Sequence, residues 1–289
     1  MERELWKPLY YTLRLLDKPW GFWKYSASDI SAVYCWAVVH DRPMSWATQG
    51  ENWPEELRPK AFASQSTLSR RMRHADVQQL MTEVEATWLA MGPVSFWWVR
   101  IIDAKGLVIS GISKDADAGY GRCARGMGKG YKFFAVWGNG PLPSAWALGP
   151  MNKSEKMMAR ELIPSLPGSG YLVGDTEYDS NVLYDLANEA GYQLVVRKRK
   201  SKGLGHIRQS PYRLRSLELL KKPFGKALFR FRRQIERDFG GLTNFGGGLA
   251  PLQAWVRRFP RVRNWVHAKL LINAVRWFQL HQPAALALA

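Results

Sequence analysis

The hydrophobic pattern of this 289-residue chain changes near residue 93, and the change constrains the fold more than any other feature. Before that point, apolar residues recur at helical spacing and no strand-like alternation is present. After it, short apolar runs rich in valine, isoleucine and aromatic residues are separated by glycine and proline, which is typical of strands. We therefore expect a smaller all-α region over 1–92, followed by a sheet-containing domain with C-terminal helices over 93–289.

The predicted elements follow this division. Helices are predicted in the first region at 5–16, 28–40, 64–74 and 76–91. In the second region, strands are predicted at 95–103, 106–112, 131–137, 170–174 and 192–197, and helices at 154–164, 179–190 and 226–240. Three strands followed by alternating helices and strands predict an α/β fold with a mixed sheet flanked by helices, which is the order of the ribonuclease H-like fold.

The charge of the chain favours a polyanionic partner. It carries 42 Lys and Arg against 24 Asp and Glu, a net charge of +18, and nucleic acid is a better candidate than an anionic membrane surface. The excess of positive charge lies in the last part of the chain. Residues 181–289 hold 21 cations and five anions, whereas residues 1–92 hold 11 of each. A hydrophobic content of 46% excludes intrinsic disorder.

Several classes of protein do not fit the sequence. Two cysteines, Cys35 and Cys123, form no disulfide framework or Cys-rich zinc site. The five histidines are scattered, and no phosphate-binding P-loop is present. The first 25 residues lack the layout of a signal peptide, and no apolar run approaches the ~20 residues of a membrane span. We expect a cytoplasmic protein in a reducing compartment that does not enter a membrane.

Two aspartates follow apolar runs in the second region. Asp103 ends the predicted first strand in the segment IIDAKG, and Asp175 follows the predicted fourth strand in YLVGDTEYDS. A carboxylate at the end of a strand is accessible to solvent and rigidly held, which suits metal binding at the edge of an α/β sheet. The alternative for each aspartate is a turn or helix N-cap residue.

Glu236 is the third candidate carboxylate. It lies in the predicted helix 226–240, where the apolar residues cluster on one face and Glu236 falls at the border of that face. From there its carboxylate can reach into a cleft. The alternative is an ion pair with Arg232 or Arg233, one turn earlier on the same helix.

Two aspartates and a glutamate form a site of oxygen donors, which suits a hard cation such as Mg²⁺ or Mn²⁺. Two such ions activate a water or a 3′-hydroxyl and stabilise the leaving oxygen of a phosphodiester displacement. The combination of Asp103, Asp175 and Glu236 therefore predicts metal-dependent chemistry on nucleic acid.

At this point the sequence resembles the bacterial insertion-sequence DDE transposases, of the type without a large β-rich insertion. Asp103 and the segments 113–121 and 129–138 are similar to the first motif of that family. Gly174, Asp175, Tyr178 and Asp179 resemble the second. The third is Tyr, two residues, Arg, three residues, Glu, six residues, Lys or Arg; here those positions hold Phe229, Arg232, Glu236 and Thr243.

The resemblance implies a transposase that cleaves DNA strands and transfers them with Asp103, Asp175 and Glu236 as catalytic and metal-binding residues. It implies two Mg²⁺ or Mn²⁺ ions, double-stranded DNA partners (terminal inverted repeats and target DNA), a homo-oligomer on DNA and a location at the bacterial nucleoid. Phe229 and Thr243 depart from the family pattern. They motivate one alternative, a transposase-derived DNA-binding protein without activity; another is a structure-specific nuclease of the same fold.

Basic residues supply the candidate DNA contacts. The predicted helix 64–74 carries Arg70 and Arg71 and resembles a recognition helix, although an exposed basic helix with no partner looks the same. Near the candidate site, clustered cations suit a phosphate track. The residues predicted to contact DNA there are Lys129, Lys132, Arg197, Lys198, Arg199, Lys200, Arg232 and Arg233.

Overall fold

The computed structural model describes residues 2–18, 23–92, 98–123, 126–199, 208–244, 248–249 and 252–281. The chain divides into two compact units, one of Met1–Val94 with Leu242–Ala289 and the other of Ser95–Gly241. We expected the C-terminal helices to belong with the sheet over 93–289. The structure groups the last of them with the N-terminal helices instead.

Most of the described chain is helical. In chain order the α-helices are α1 Glu2–Leu16, α2 Ala27–Val39, α3 Met44–Ala47, α4 Gln65–Arg71, α5 Ala75–Met91, α6 Glu155–Leu162, α7 Asn181–Glu189, α8 Pro211–Lys221, α9 Pro223–Arg230, α10 Arg232–Asn244 and α11 Phe259–His281. None of those described is long and apolar enough to cross a membrane.

The helical unit is built around α11, which is buried on nearly every side. Two buried polar side chains on that helix have partners in the same unit: Lys269 Nζ donates to Asp41 Oδ1 at 2.6 Å, and Asn264 Nδ2 donates to the carbonyl of Met72 at 3.0 Å. Trp36 and Trp53 stack with ring centroids 4.6 Å apart and add an aromatic core. The all-helical N-terminal region predicted from the sequence is confirmed.

The second unit contains one six-stranded mixed sheet. Its strands are β1 Val99–Val108, β2 Gly119–Cys123, β3 Gly126–Trp137, β4 Ala145–Pro150, β5 Gly170–Val173 and β6 Tyr192–Val195. The order is β2-β3-β1-β5-β6, with β4 also paired to β3. The pairs of β3 with β1, β2 and β4 are antiparallel, whereas β5 is parallel to both β1 and β6. The predicted mixed α/β sheet flanked by helices is confirmed.

Helices α6 and α7 cover one face of the sheet. Ile102 of β1 and Phe134 of β3 lie in a core cluster with Leu162 of α6 and Leu183 of α7. Burial of these large apolar side chains is the main force holding the layers together. The opposite face of β3 receives α10, because Phe239 packs against Phe133 and Trp137 with ring centroids 5.9 and 6.3 Å apart.

Three details of the predicted elements were wrong. The strands expected at 95–103 and 106–112 are one strand, because β1 runs unbroken through Gly106, which pairs with Lys132. The small strands β2 and β4 were missed, since GYGRC and AWALGP contain no long apolar run. The helix expected at 226–240 is two helices, α9 and α10, with a turn at Phe231 between them.

Candidate active site

The register of two parallel strands places Asp103 and Asp175 side by side. Ile101 of β1 pairs with Val173 of β5, and each aspartate lies two residues further along its strand. Between them, a Cβ built on Gly174 would stand 3.2 Å from Ile102 Cγ2. Adjacent strands of a sheet lie about 4.8 Å apart. The sheet therefore brings the two predicted carboxylates together on neighbouring strands.

Asp103 is a largely buried carboxyl in the middle of β1, not at its end as the sequence suggested. Burial, together with the charges of Asp175 and Glu155, raises its pKa to about 6. The backbone N–H of Ala104, which donates to Asp103 Oδ1 at 2.8 Å, and the charge of Arg232 act in the opposite direction. Burial and the neighbouring acids therefore outweigh the opposing charge of Arg232.

Asp175 follows the neighbouring strand β5 by two residues and caps a short 3₁₀ helix, Thr176–Tyr178. Its Oδ1 accepts a hydrogen bond from the backbone N–H of Glu177 at 2.8 Å. The N-cap role considered from the sequence is thus present, and it fixes the carboxylate in place. A carboxylate has acceptor sites beyond this one bond, so the cap leaves Asp175 able to bind a cation.

Helix α10 lies over the side of the sheet to which Asp103 belongs. Asp103 is paired with Ala135, and the flanking β3 residues on the same face, Phe133 and Trp137, contact Phe239 of α10. Glu236 lies one helical turn before Phe239 on that helix. The structure therefore carries Glu236 to the Asp103 face of the sheet.

The carboxylate of Glu236 does not join the two aspartates in this structure. Its side chain is 59% exposed, and Oε1 lies 3.5 Å from Arg232 Nη2 in an i, i+4 ion pair. That pairing is the alternative considered for Glu236 from the sequence. Because the charge of Arg232 also acts on Asp103, Arg232 is a cation shared by the first and third candidate residues.

Two further polar groups adjoin the aspartates: Glu155, which was missed from the sequence, and Tyr178, which was predicted from the sequence only as part of the second motif. Glu155 opens α6, and its charge acts on Asp103. The hydroxyl of Tyr178 is buried, and among the described residues it has no partner at hydrogen-bonding geometry. Burial raises the pKa of Tyr178, and the charges of Glu155, Asp103 and Asp175 raise it further. Glu155 resembled an ordinary first-turn acid in the sequence, so only the fold reveals its position.

The aspartate pair fits a hard divalent cation. Within the described residues no group of three or more His, Cys, Asp or Glu is arranged to hold a metal ion. Mg²⁺, however, is commonly held by one or two carboxylates with water and substrate phosphate completing its shell. The half-buried Asp103 beside Asp175 provides the oxygen donors and the negative charge that such an ion requires.

Four of the eight cations predicted to contact DNA near the site have polar partners within the protein. Lys129 Nζ donates to the carbonyl of Ser113 at 2.6 Å, and Lys132 Nζ lies 3.1 Å from Glu155 Oε1. Arg199 Nη2 lies 3.5 Å from Glu177 Oε1, and Arg232 pairs with Glu236. Each of these pairs leaves further donors on the cation.

Arg197 and Arg233 are exposed, and Lys198 is half-buried. The guanidinium of Arg197 lies over the ring of Phe229, with its carbon 4.4 Å from the ring centroid. Lys200 lies outside the described residues, and the side chain of Thr243 is likewise not described.

The two arginines of the predicted recognition helix have different environments. Arg70 is exposed on α4, a helix capped by Ser64, whose hydroxyl accepts from the backbone N–H of Thr67 at 3.2 Å. Arg71 is buried and donates to both oxygens of Asp76, at 2.9 and 2.7 Å. The structure thus gives Arg71 a structural ion pair and leaves Arg70 at the surface.

Comparison with known protein families agrees with this arrangement. The family model of the transposase DDE domain matches residues 95–272, which is more than half of the chain. The chain belongs to the transposase DDE-domain family. No curated protein and no solved structure matches it.

Family membership makes this chain a transposase, a class of DNA-binding recombination enzymes that generally use divalent metal ions. The matched region contains β1 and β5 with their two aspartates, and it also contains α10 with Glu236. The sequence resemblance to the insertion-sequence DDE transposases is therefore confirmed at the level of the family.

Proposed function

We propose that this transposase cleaves DNA strands at the ends of an insertion sequence and transfers the freed 3′ ends into target DNA. In the first step the oxygen of a water attacks a phosphorus, and the bond to the 3′ oxygen breaks. A 3′-hydroxyl and a 5′-phosphate result. In the second step the oxygen of that 3′-hydroxyl attacks a phosphorus of the target strand and forms a new phosphodiester bond. The bond from this phosphorus to the target's own 3′ oxygen breaks, and that oxygen leaves as a 3′-hydroxyl.

The observation that carries this proposal is the pair of carboxylates on β1 and β5. Asp103 is half-buried within strand β1, and Asp175 is held by its cap bond, so both are fixed by the scaffold before any substrate binds. When bound there, two Mg²⁺ or Mn²⁺ ions supply charge for the attacking and the leaving oxygens of the displacement. The two aspartates hold those ions and orient them.

Glu236 is proposed as the third member of the site. Reaching the aspartates requires it to leave Arg232, to which it is joined only by an exposed pair at 3.5 Å. Exposed ion pairs of this kind contribute about 0–1 kcal/mol, so their exchange costs little. Release also frees Arg232 to bind a phosphate of the substrate.

The DNA partners we propose are the terminal inverted repeats and the target duplex, bound by an oligomer of this chain. Arg70 is a candidate DNA contact in the helical unit. Arg197, Lys198, Arg232 and Arg233 are candidate DNA contacts in the sheet unit. Lys129, Lys132 and Arg199 would contribute through the donors that their internal partners leave free.

The test uses Asp175→Asn, with Glu189→Gln as the matched control, because Glu189 is an exposed acid at the C-terminal end of α7. The purified proteins are incubated with linear DNA that carries the repeats flanking the gene, in Mg²⁺ or in Mn²⁺. We expect Asp175→Asn to bind this DNA as the wild type does and to produce no cleavage, while the control cleaves normally.

Two results would overturn the proposal. Cleavage that persists in Asp175→Asn would remove the aspartate pair from the chemistry. Wild-type protein that shifts the DNA without nicking it in either metal would support the inactive alternative that Phe229 and Thr243 suggest. DNA lacking the element ends is included in parallel, because equal cutting of it would identify a structure-specific nuclease.

A further inference from the structure

The first turn of α6 places a further carboxylate beside Asp175. Glu155 opens this helix, and its side chain is only 21% exposed. The neighbouring Lys156 donates from Nζ to the carbonyl of Asp179 at 3.3 Å, which fixes the start of the helix against the turn that follows Asp175. Glu155 and Asp175 both line one cavity of about 780 Å³. The two carboxylates therefore border the same space.

Tyr178 lies between this carboxylate and the aspartate pair. Its ring packs beside Gly174, where an added Cβ would stand 3.0 Å from Tyr178 Cδ2. Its hydroxyl is buried, and the charges of Glu155, Asp103 and Asp175 all act on it. The hydroxyl therefore lies near all three acids.

The hydroxyl of Tyr178 is a donor that lacks an acceptor. The side chain is 1% exposed, and none of the described groups stands at hydrogen-bonding geometry to the hydroxyl. A buried hydroxyl without a partner costs free energy, and an acceptor that moves into place recovers it. Of the three acids, Glu155 acts on the hydroxyl most strongly. A shift of this carboxylate toward Tyr178 would therefore supply the missing acceptor.

The ion pair with Lys132 occupies only part of the Glu155 carboxylate. Lys132 Nζ lies 3.1 Å from Oε1, and an ionised carboxylate offers about four acceptor sites on its two oxygens. Glu155 therefore keeps acceptor sites for Tyr178 and for one further donor. The pair holds Glu155 near the aspartates without filling all of these sites.

The further donor that suits this place is a water on a divalent cation. Within the described residues, the three acids form no closed set of direct metal ligands. Mg²⁺ keeps several of its waters when it binds to protein carboxylates. Residues that hydrogen-bond to the ligands of a metal orient them and raise the affinity for the ion. A carboxylate set back from the aspartate pair fits this outer position better than direct binding.

We propose that Glu155 is a positioning residue of the candidate cation site, where it accepts a hydrogen bond from a water on an ion held by Asp103 and Asp175. The hydroxyl of Tyr178 donates to Glu155 and holds its carboxylate for this contact. The inference rests on the proposed function, since it takes the two aspartates as the cation site. It goes beyond that function by adding a fourth carboxylate to the three predicted ones and by giving Tyr178 a task.

The test measures the affinity of the full-length protein for Mn²⁺ in the absence of DNA, from the electron paramagnetic resonance signal of the free ion. The variants are Glu155→Gln and Tyr178→Phe. The matched control is Glu161→Gln, which removes an exposed acid of the same helix. Asp175→Asn shows the effect of losing a direct ligand. Thermal melts in EDTA measure the stability of each ion-free protein.

We expect Glu155→Gln to weaken Mn²⁺ binding by about 10- to 100-fold, the usual effect of removing a hydrogen-bond partner of a metal ligand. Tyr178→Phe should weaken it by about 3- to 10-fold, which corresponds to one hydrogen bond. The melting temperature of Tyr178→Phe in EDTA should not fall, because among the described residues its hydroxyl has no partner. A purely structural role would lower that temperature and leave the affinity unchanged. The control should match the wild type in both measurements.

Three results would overturn the inference. An unchanged affinity in Glu155→Gln would remove this residue from the cation site. Complete loss of Mn²⁺ binding in Glu155→Gln, equal to that in Asp175→Asn, would make Glu155 a direct ligand. An unchanged affinity in Tyr178→Phe would remove the task given to the hydroxyl. Tyr178→Phe keeps the ion pair with Lys132, so it decides the matter if Glu155→Gln does not fold.

The outcome does not depend on cleavage. If the wild type cuts element ends and Asp175→Asn abolishes Mn²⁺ binding, but Glu155→Gln binds the ion as the wild type does, the proposed function stands and the inference fails. If the affinities change as expected but the wild type cuts no DNA, the inference stands and the proposed function fails. A wild type that binds no Mn²⁺ without DNA would overturn the inference, and the cleavage assay would then decide the function separately.

Discussion

Lys132 Nζ lies 3.1 Å from Glu155 Oε1, and the two side chains are only 12% and 21% exposed. This ion pair joins β3 to the first turn of α6 beside the candidate catalytic aspartates. It places a cation beside Glu155, a carboxylate whose charge acts on Asp103. Lys132 was predicted as a DNA contact, and the pair shows that it also compensates negative charge within the protein.

We expect Lys132→Met to destabilise the protein by about 1–3 kcal/mol, because it leaves Glu155 partly buried without its partner. Urea unfolding at pH 7 measures the change. Glu155→Gln added to Lys132→Met should restore part of the loss. The control is Lys153→Met, which removes the looser pair with Glu161 at 3.7 Å and should cost less than about 0.5 kcal/mol. Equal losses in the two single lysine variants would contradict the role assigned to the buried pair.

Asp103→Asn is expected to stabilise the metal-free protein, by about 1–2 kcal/mol at pH 7.5. Burial raises the pKa of Asp103 to about 6, so at pH 7.5 the wild type holds a buried charge next to Asp175 that the amide lacks. Thermal unfolding in EDTA measures this gain.

Repeating the melts in 10 mM MgCl₂ completes the experiment. Magnesium should raise the melting temperature of the wild type and leave Asp103→Asn nearly unchanged, because binding to the folded state alone stabilises it. A variant less stable than the wild type in EDTA would show that Asp103 serves the fold instead of a cation. Glu189→Gln, the exposed acid on α7, should respond to magnesium as the wild type does.

The sequence predicted the site best where a carboxylate directly follows a strand-like run of apolar residues. Asp103 and Asp175 each follow a run of apolar residues, and parallel pairing of β1 with β5 makes them neighbours. Glu155 could not be found in this way, because an acid in the first turn of a helix is ordinary. Its position depends on the loop after β4, whose path no local pattern records.

Local sequence patterns also fail to show which charged residues are buried and where a helix is interrupted. Arg70 and Arg71 look alike in the sequence, and only packing reveals that Arg71 is buried against Asp76. The turn at Phe231 interrupts an apolar periodicity that is continuous in the sequence. Tertiary contacts, and not helix propensity, therefore determine the position of this turn. The part of the fold set by alternation and strand order was predictable, and the part set by long-range packing was not.

Acid should weaken the fold through Asp179. Burial raises the pKa of Asp179, but the hydrogen bonds from Arg213, at 2.7 and 2.8 Å, and from the backbone of Arg199 lower it by more, so the pKa lies below its usual range. A lowered carboxyl pKa adds stability that is fully present above the unfolded value of about 4 and is lost as pH falls through the folded value.

We therefore expect Asp179→Asn to cost about 2–4 kcal/mol at pH 7, since it leaves Arg213 largely buried and without its carboxylate. The difference from the wild type should shrink as the pH approaches 3. Denaturant unfolding from pH 7 to pH 3 measures the loss of stability at pH 7 and its decrease in acid. A difference that stays constant with pH would show that the loss comes from packing and not from the ionised pair.

Two glycines of the sheet unit should respond in opposite ways to alanine. Gly170 begins β5 with φ +140°, and an added Cβ would stand 2.2 Å from the carbonyl oxygen of Trp98. Gly170→Ala should therefore cost more than about 2 kcal/mol and disturb the strand that leads to Asp175. Gly241, in α10, has nothing within 4 Å of the added Cβ, and Gly241→Ala should gain about 0.5–1 kcal/mol. Urea unfolding of both variants provides the comparison, and a neutral Gly170→Ala would contradict the close approach of β5 to Trp98.

The two cysteines should differ sharply in reactivity. Cys35 of α2 is fully buried, and burial raises its pKa to about 12, so almost no thiolate is present at pH 8. Cys123, at the end of β2, is only half-buried. Titration of the native protein with a disulfide reagent at pH 8 should give one fast thiol, and titration in denaturant should give two. Cys123→Ser should abolish the fast reaction, while Cys35→Ser should leave it unchanged. Two fast thiols in the native wild type would mean that the helical unit opens readily around α2.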